Sequence, residues 1–272
     1  MTFPAHRIHP RNHDFSWQEA SDDGMRRLTP AEKAQFDAQG FFVLRDVFTP
    51  AELDAVETAI DPLEQAHEQQ LRANEGRNAI SSADAITFTG HIVAKSGVLR
   101  DFAAHPAIAD VCHDLIGGDV RLYWDQSVYK KSGKPQEFPW HQDNGYTFVE
   151  PQQYLTFWIP LIDVDVENGC PWIAPGMHRL GTLEHWVTPI GLKCLEDAPD
   201  AVPAPAKRGD VIVFSSLAPH RTGPNLRPGT VRKAYILQYA PDGAEAVMPD
   251  GSRIAQTEPS RQFPILKDGA RI

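Results

Sequence analysis

The sequence predicts a mainly β protein of the α+β class, with N-terminal helices that buttress a jelly-roll core. From residue 120 onward, short β-prone runs alternate with Pro and Gly, a pattern typical of strands joined by tight turns. The first 116 residues instead carry apolar residues at helical spacing behind helix-start residues. Because no helical stretch separates the later strands, the pattern favours a sandwich or barrel over alternating βαβ units.

Chain length and composition predict one globular domain with extensions. The 272 residues, 42% of them hydrophobic, suffice for one sizeable core and are too few for two large enzymatic domains. We divide the chain into an irregular arm over residues 1–27, a main domain over residues 28–245 and a surface tail over residues 246–272. Both lack clear periodicity, so we expect the arm to be irregular and the tail to wrap the surface.

The charge balance excludes several kinds of partner. The formal net charge is −10, from 36 acidic and 26 basic side chains, and such a surface repels nucleic acid and anionic lipid. No apolar run approaches the roughly 18 residues of a membrane span, and the first residues lack the charged-then-apolar order of a secretion signal. We therefore expect a cytoplasmic protein that binds neither nucleic acid nor membranes.

The three cysteines are expected to be small buried apolar groups. Cys112, Cys170 and Cys194 are odd in number, and none belongs to a Cys-x-x-Cys pair. Neither a disulfide framework nor a thiolate zinc site is therefore indicated.

Helix-start residues mark the first elements. Residues 29–32, Thr-Pro-Ala-Glu, predict the start of a short helix that ends at Gly40, and residues 41–44 form a compact apolar strand. Residues 49–52 repeat the same start ahead of a more strongly amphipathic helix. The polar residues 64–84 extend that helix and then become a loop.

A third amphipathic helix is predicted over residues 106–116, before Gly117 and Gly118. Beyond it, five β-prone runs share short length and flanking turn residues. These runs are residues 121–129, 154–162, 172–174, 210–215 and 232–240.

A histidine and a carboxylate lie two positions apart in residues 139–145. In extended backbone, positions i and i+2 point to the same side, so His141 and Asp143 are predicted to bind one ion. His220, which follows the β-prone residues 211–214, is the candidate third ligand. Two histidines and one carboxylate form a facial triad, which leaves three positions of an octahedral ion open and suits non-haem Fe(II), an organic co-substrate and dioxygen.

Arg232 is the candidate anchor for that co-substrate. Strand alternation places it on the same face as Ala234, Ile236 and Gln238. If that face is the inner one, the buried guanidinium requires a carboxylate partner. The dicarboxylate 2-oxoglutarate would chelate iron at one end and pair with Arg232 at the other.

Several ordered motifs together resemble the phytanoyl-CoA dioxygenase family of Fe(II)- and 2-oxoglutarate-dependent oxygenases, over roughly residues 30–245. The motifs that carry the resemblance are residues 40–44, 48–53, 140–143, 168–170, 175–178 and 209–214, then His220 and residues 232–234. The resemblance implies a double-stranded β-helix, the cupin-like form of the jelly-roll, with helices at its N-terminal side.

The resemblance also implies a reaction and its metal ligands. His141, Asp143 and His220 would hold Fe(II) and form the catalytic centre. The reaction implied is hydroxylation of an unactivated C–H bond in a small organic metabolite, with consumption of O2 and 2-oxoglutarate and release of succinate and CO2. Because related halogenases leave the carboxylate position open for chloride, Asp143 implies oxygenation. Desaturation, ring formation or epimerisation are alternative outcomes of the same chemistry.

Four residues are implied as contacts of 2-oxoglutarate. Arg232 would bind its distal carboxylate, while Gln126, Trp158 and Thr222 match positions near the co-substrate. Each of the last three is also compatible with ordinary strand packing.

Two alternative functions remain open on the residues alone. The triad would equally suit a divalent-metal hydrolase or isomerase on a cupin-like barrel, although that chemistry needs neither Arg232 nor Gln126. A barrel that binds a ligand without catalysis is the second alternative, and the complete set of metal ligands argues against it.

The sequence does not identify the substrate. Residues 72–92 and 178–206 are the candidate loops around the barrel mouth, and a basic cluster at Lys130, Lys131 and Lys134 is the one feature that would suit a CoA thioester. His178 is predicted to be a structural turn residue. The remaining aromatic and imidazole candidates for the pocket, which would equally suit the core, are Phe138, Trp140, Trp172, His185 and Trp186.

Overall fold

The computed structural model describes residues 3–272, and within this range four α-helices lie before residue 117. They are α1 (Pro30–Gln39), α2 (Pro50–Ala73), α3 (Gly97–Ala103) and α4 (Pro106–Ile116). Both α1 and α2 begin with a capping box, in which a threonine and a glutamate three residues later satisfy each other's backbone N–H groups. The predicted helix starts are confirmed, as is the end of α1 at Gly40, which adopts a left-handed φ of 83°.

The strands follow, and most are short. They are β1 (Phe41–Leu44), β2 (Arg77–Asn78), β3 (Ser81–Ser82), β4 (Ile86–Gly90), β5 (Val120–Lys131), β6 (Phe138–His141), β7 (Val149–Glu150), β8 (Leu155–Pro160), β9 (Pro171–Ile173), β10 (Trp186–Thr188), β11 (Gly191–Lys193), β12 (Val202–Pro203), β13 (Val211–Ser215), β14 (His220–Thr222), β15 (Val231–Pro241), β16 (Glu245–Val247), β17 (Arg253–Ala255), β18 (Pro264–Lys267) and β19 (Ala270–Arg271). All five β-prone runs of the sequence contain a strand.

Two antiparallel sheets build the core. The main sheet has the order β1-β13-β8-β15-β5-β4-β3-β2, with β18 also paired to β5, and the smaller sheet has the order β12-β9-β14-β6. The chain crosses between sheets rather than running through neighbouring strands in sequence, as a jelly-roll requires. The predicted jelly-roll with N-terminal helices is confirmed.

Each long strand of the main sheet is buried on both faces. In β15, Tyr235 and Leu237 pack with the helices, in one cluster with Val56 of α2 and Ile108 of α4. Residues on the other face of β15, such as Ile236, belong to a second apolar cluster, which lies between the two sheets. The helices therefore cover one face of the main sheet, and the interior of the jelly-roll lies against the other.

Residues 64–84 follow the prediction at first and then depart from it. Helix α2 continues to Ala73, but the chain then forms β2 and β3, which extend the main sheet through β4. In β4, Thr87 and Thr89 are buried and donate hydrogen bonds to Glu64 of α2. Ile86 and Phe88 alternate with these threonines, a pattern typical of a strand, and the predicted mouth loop over residues 72–92 did not take it into account.

The last residues also differ from the predicted surface tail. Strand β18 pairs with the start of β5, with Leu266 opposite Val120, and Phe263, Ile265 and Leu266 are buried in the core cluster beneath the helices. The apolar run is only four residues long and contains a proline, so it carries too little periodicity to be recognised. Residues 3–27 form no helix or strand, and the domain boundaries themselves stay a prediction.

Two expectations about the chain as a whole can be compared with the structure. Cys112, Cys170 and Cys194 are buried and unpaired, as expected. Among residues 3–272, no helix combines the length and apolar character needed to span a membrane. The cytoplasmic location stays a prediction.

Leu266→Ala tests whether the C-terminal segment belongs to the core. Because Leu266 is fully buried, we expect the free energy of unfolding to fall by about 2–5 kcal/mol. Ile254→Ala in β17 is the matched control: Ile254 is 51% exposed, so its loss should cost within about 0.5 kcal/mol. Urea denaturation of both variants measures the difference, and equal costs would contradict the placement of β18.

Candidate active site

Three potential metal ligands meet where the two short strands β6 and β14 pair. His141 is the last residue of β6, His220 is the first of β14, and the two are direct partners in the ladder. Their Nε2 atoms each lie 3.9 Å from Oδ1 of Asp143. Each residue thus offers one ligand atom, and the three atoms lie within 4.8 Å of one another.

The turn after β6 explains how His141 and Asp143 converge. The strand ends at His141, and Asp143 begins a 3-10 turn over residues 143–145, so the two do not share one strand as expected. Gln142 between them nevertheless has extended dihedral angles, φ −109° and ψ 145°, which keep its neighbours on the same side. The correct juxtaposition therefore arises from one extended residue rather than from a continuous strand.

The side chain of Gln142 points the opposite way and anchors this turn. Its amide Nε2 donates to the carbonyl oxygens of Gly181 and Leu217, and its Oε1 accepts from the backbone N–H of Leu183. Gln142 is fully buried. Its three hydrogen bonds tie the segment that carries Asp143 to two other segments of the chain.

Hydrogen bonds orient each candidate ligand. Nδ1 of His141 lies 2.8 Å from the carbonyl oxygen of Pro139, and Nδ1 of His220 lies 3.0 Å from that of Ala218. A carbonyl only accepts, so these contacts assign the proton to Nδ1 and leave the Nε2 lone pair free. Burial and the nearby His220 hold the pKa of His141 well below its usual value, which favours the neutral ligand form.

The carboxylate of Asp143 is oriented in the same way. Its Oδ2 accepts a short hydrogen bond from the hydroxyl of Thr156 in β8, so its Oδ1 faces the two histidines. Two imidazoles and one carboxylate, all held on one side of a cavity, are a donor set that fits non-haem Fe(II). The residues present therefore fit the ion that the sequence implies.

A cavity of about 290 Å³ lies between the two sheets and contains the triad. All seven residues that the sequence singled out for iron and 2-oxoglutarate line it. They are His141, Asp143, His220, Arg232, Gln126, Trp158 and Thr222.

Arg232 is a buried cation without an acidic partner. It is fully buried, and its only hydrogen bond within residues 3–272 runs from Nη1 to the carbonyl of Val128, while Nε and Nη2 have no partner. The guanidinium carbon lies 5.2 Å from the centre of the Trp158 ring. Burial lowers the pKa of Arg232 to about 9, so the group is still charged at neutral pH. The free N–H groups fit a carboxylate entering from the cavity.

The other co-substrate candidates contribute less distinctive contacts. Gln126 accepts a hydrogen bond from the indole N–H of Trp124 at 3.2 Å, and Thr222 is buried on β14, two residues after His220. Both side chains reach the cavity wall. Their position is compatible with the role implied by the resemblance.

The lysine cluster does not form a basic surface, in contrast to the expectation. Lys130 is fully buried, and its ammonium donates to the carbonyls of Thr222 and Gly223. Lys131 pairs with Glu68 at 2.7 Å, and Lys134 pairs with Asp84 at 3.3 Å. Lys130 is thus buried among backbone carbonyls, whereas Lys131 and Lys134 keep partly exposed side chains that form ion pairs, and none of the three lines the cavity.

Of the aromatic and imidazole candidates, Phe138 lines the cavity and the other four do not. Trp140 and Trp172 instead flank the guanidinium of Arg221, at 5.6 and 5.4 Å. Nε2 of His185 accepts a hydrogen bond from the backbone N–H of Gln142, and Trp186 is exposed on β10.

The predicted structural role of His178 agrees with its position. Its ring is fully buried against Trp17, and its Nε2 lies 3.2 Å from the carbonyl of Asp37 in α1. His178 does not belong to the group of potential metal ligands formed by His141, Asp143 and His220.

The sequence analysis did not single out several cavity residues. Tyr123, Trp124, Tyr146 and Thr156 line the cavity together with Gln238, which strand alternation had placed on the face of Arg232 without assigning it a role. Trp124 in β5 lies opposite Gln238 in β15. Applying the same alternation to β5 would have found Trp124.

Comparison with known proteins adds a family and several relatives. The family model described as phytanoyl-CoA dioxygenase matches residues 36–234. The chain is 24% identical to phytanoyl-CoA dioxygenase domain-containing protein 1 of Danio rerio, over 73% of this chain and 85% of that protein. It is 26% identical to the ectoine dioxygenase of Sphingopyxis alaskensis, over 78% of this chain and 76% of that protein.

Solved structures resemble the whole fold. The ectoine dioxygenase of S. alaskensis, crystallised with 2-oxoglutarate and 5-hydroxyectoine, superposes with a TM-score of 0.67 at 25% identity, over 92% of this chain and 87% of that one. An α-ketoglutarate-dependent carbocyclase from nogalamycin biosynthesis also gives a TM-score of 0.67, at 21% identity, over 87% of this chain and 96% of that one. The second likeness concerns the fold alone.

Arg232→Met tests whether the buried guanidinium lowers the stability of the ligand-free protein. Since Arg232 has no acidic partner, we expect the free energy of unfolding to rise by about 1–4 kcal/mol. Lys233→Met is the control on the same strand. Lys233 pairs with Glu57 and Asp61 at 2.7 and 2.8 Å, so its loss should lower stability by up to about 1 kcal/mol. Denaturant unfolding without ligand measures both, and a loss of stability in Arg232→Met would contradict the assignment.

Proposed function

The chain belongs to the phytanoyl-CoA dioxygenase family, and we propose that His141, Asp143 and His220 hold the Fe(II) of this dioxygenase. The enzyme uses O2 and 2-oxoglutarate and releases succinate and CO2. The outcome we propose is hydroxylation of an unactivated C–H bond in a small organic molecule. Asp143 supports oxygenation, because it supplies the carboxylate of the triad.

One observation carries the proposal: a single cavity contains both the triad and a buried arginine with free N–H groups. A ligand that joins the two must present a carboxylate at one end and metal-binding oxygens at the other. We propose that Arg232 pairs with the distal carboxylate of 2-oxoglutarate, beside Gln126, Trp158 and Thr222. A hydrolase or isomerase would not need a cation at this position.

The protein contributes orientation and exclusion of water. When bound, iron supplies the redox and dioxygen chemistry that side chains lack. The carbonyls of Pro139 and Ala218 hold the two imidazole rings, and Thr156 holds Asp143 with one oxygen facing them. The aromatic wall of the cavity, including Trp158, keeps water from the reacting groups.

The cavity supports a substrate that is not a CoA thioester. The nucleotide part of CoA carries phosphates, which require cations or N–H donors at the mouth. Lys130, Lys131 and Lys134 are all occupied by carbonyls or carboxylates of the protein. We therefore propose a small organic molecule as the free substrate.

The metal assignment is tested by His141→Ala, Asp143→Ala and His220→Ala. Each variant removes one of three ligands, so we expect loss of stoichiometric Fe(II) binding with the fold retained. His67→Ala, a half-buried histidine on α2 outside the triad, should bind iron like the parent protein. Anaerobic metal titration with circular dichroism measures both properties. The triad assignment is wrong if all three variants bind iron as the parent does.

The co-substrate assignment is tested by Arg232→Met in the same titration format. With Zn(II) in place of iron, we expect the affinity for 2-oxoglutarate to fall by about 2–5 kcal/mol, because one carboxylate loses its charged partner. Lys233→Met should leave the affinity unchanged. In the parent protein, Fe(II) and O2 should convert 2-oxoglutarate to succinate slowly even without substrate. A protein that binds metal but neither binds nor consumes 2-oxoglutarate would support the hydrolase or isomerase alternative.

A further inference from the structure

Gln238 lies beside the metal triad, at the end of the cavity away from Arg232. The two residues share one face of β15 and are six positions apart, roughly 20 Å along an extended strand. The neighbours of Gln238 across the sheet are Thr156 of β8 and Trp124 of β5. Since the Thr156 hydroxyl holds Asp143, Gln238 is separated from the triad by a single strand. Gln238 therefore lies beyond the metal end of a 2-oxoglutarate molecule that joins Arg232 to the triad, on the side away from Arg232.

The amide of Gln238 is the exception among the buried glutamines. Gln238 is 6% exposed and lines the cavity, and its side chain makes no hydrogen bond to any other residue from 3 to 272. The other four buried glutamines all form side-chain hydrogen bonds within the protein; they are Gln142, Gln152, Gln256 and Gln262. The amide atoms of Gln238 are not among the fully buried, unpaired side-chain atoms of residues 3–272, so they face the open space of the cavity. The free donor and acceptor of Gln238 are therefore available to a ligand in the cavity.

The cavity offers no charge to such a ligand. Beyond the triad and Arg232, the residues that line the cavity have neutral side chains alone. In the loaded enzyme the charges also cancel: Fe(II) and Arg232 balance the Asp143 carboxylate and the 2-oxoglutarate dianion. An ionic substrate would lose its hydration without gaining a partner.

Aromatic side chains and a threonine surround Gln238. Trp124 and Thr156 lie opposite it in the sheet, and Tyr123 and Ile236 line the same cavity. Aromatic faces bury large areas of an apolar ligand and leave hydrogen bonding to a few polar groups. The amide of Gln238 is such a polar group, and it can fix the orientation of a ligand.

We propose that Gln238 binds the substrate, and that the substrate is an uncharged molecule with an apolar body and an amide-type group. A carboxamide or lactam presents an N–H and a C=O side by side, which matches the donor and acceptor of the glutamine amide. This inference rests on the proposed function and deepens it, because it names the substrate class. It predicts weaker binding of organic acids, phosphonates and amines that are ionised at neutral pH.

Three probes with one carbon skeleton test the charge preference: 3-phenylpropanamide, 3-phenylpropanoate and 3-phenylpropylamine. Binding to the full-length protein loaded with Zn(II) and saturating 2-oxoglutarate is measured by ligand-observed NMR. Saturation with 2-oxoglutarate keeps the carboxylate probe away from Arg232. We expect the amide to bind at least about tenfold more tightly than either ionic probe.

Gln238→Leu tests the residue itself. We expect the amide probe to bind about fivefold to thirtyfold more weakly, as for the loss of one or two neutral hydrogen bonds, with Zn(II) stoichiometry and 2-oxoglutarate affinity unchanged. Gln238→Glu should shift the preference toward the amine. Gln69→Leu, at an exposed position of α2, is the matched control and should bind all three probes like the parent protein.

The outcomes separate this inference from the proposed function. An ionic probe that binds as tightly as the amide, or no binding by any of the three, overturns the uncharged substrate class. Unchanged amide affinity in Gln238→Leu overturns the role of Gln238. The proposed function is tested by separate measurements. It fails if the parent protein neither binds 2-oxoglutarate nor converts it to succinate.

Discussion

Alternation along the strands of the main sheet is the constraint on which the rest of the structure depends. Because helices cover one face and the cavity occupies the other, every residue of β15 is committed to one side. A slip of one position would turn Arg232 toward the helices and bring Lys233 into the cavity. The register is held by contacts on the helical face, where Lys233 pairs with Glu57 and Asp61 of α2, and Tyr235 and Leu237 fill the core. The helices thus specify the chemistry of a cavity that they do not touch.

The interior combines strong hydrophobic packing with two basic side chains whose hydrogen-bonding groups are satisfied to different degrees. Arg232 and Lys130 are direct partners in the ladder between β15 and β5, and both are fully buried. Lys130 is satisfied by two carbonyls, whereas Arg232 keeps two nitrogens free. An apolar residue would pack more favourably at position 232 in the absence of ligand. A residue that opposes stability in this way is typical of functional positions, which supports the proposed role of Arg232.

Local chemistry made much of this molecule predictable from sequence. The two capping boxes located α1 and α2, the His-x-Asp motif with His220 located the triad, and strand alternation placed Arg232 inside. The features that the sequence did not predict depend on contacts between segments that are far apart in the chain. Nothing near Thr156 indicates that its hydroxyl holds Asp143, and nothing near Gln238 indicates that its amide lacks a partner. Lys130 looked like part of a basic surface because its carbonyl partners are more than 90 residues away. Strand β18 was missed because four apolar residues with a proline become a strand only beside β5.

The three hydrogen bonds of Gln142 bear on the thermodynamics of ion capture. They tie the turn that carries Asp143 to Gly181, Leu183 and Leu217 without any help from an ion. The conformational entropy of this turn is therefore lost when the chain folds, not when metal arrives. We therefore expect metal binding to order little additional chain and to show only a small heat-capacity change, unlike binding that is coupled to folding. Amide hydrogen exchange in this turn should therefore be slow before metal is added.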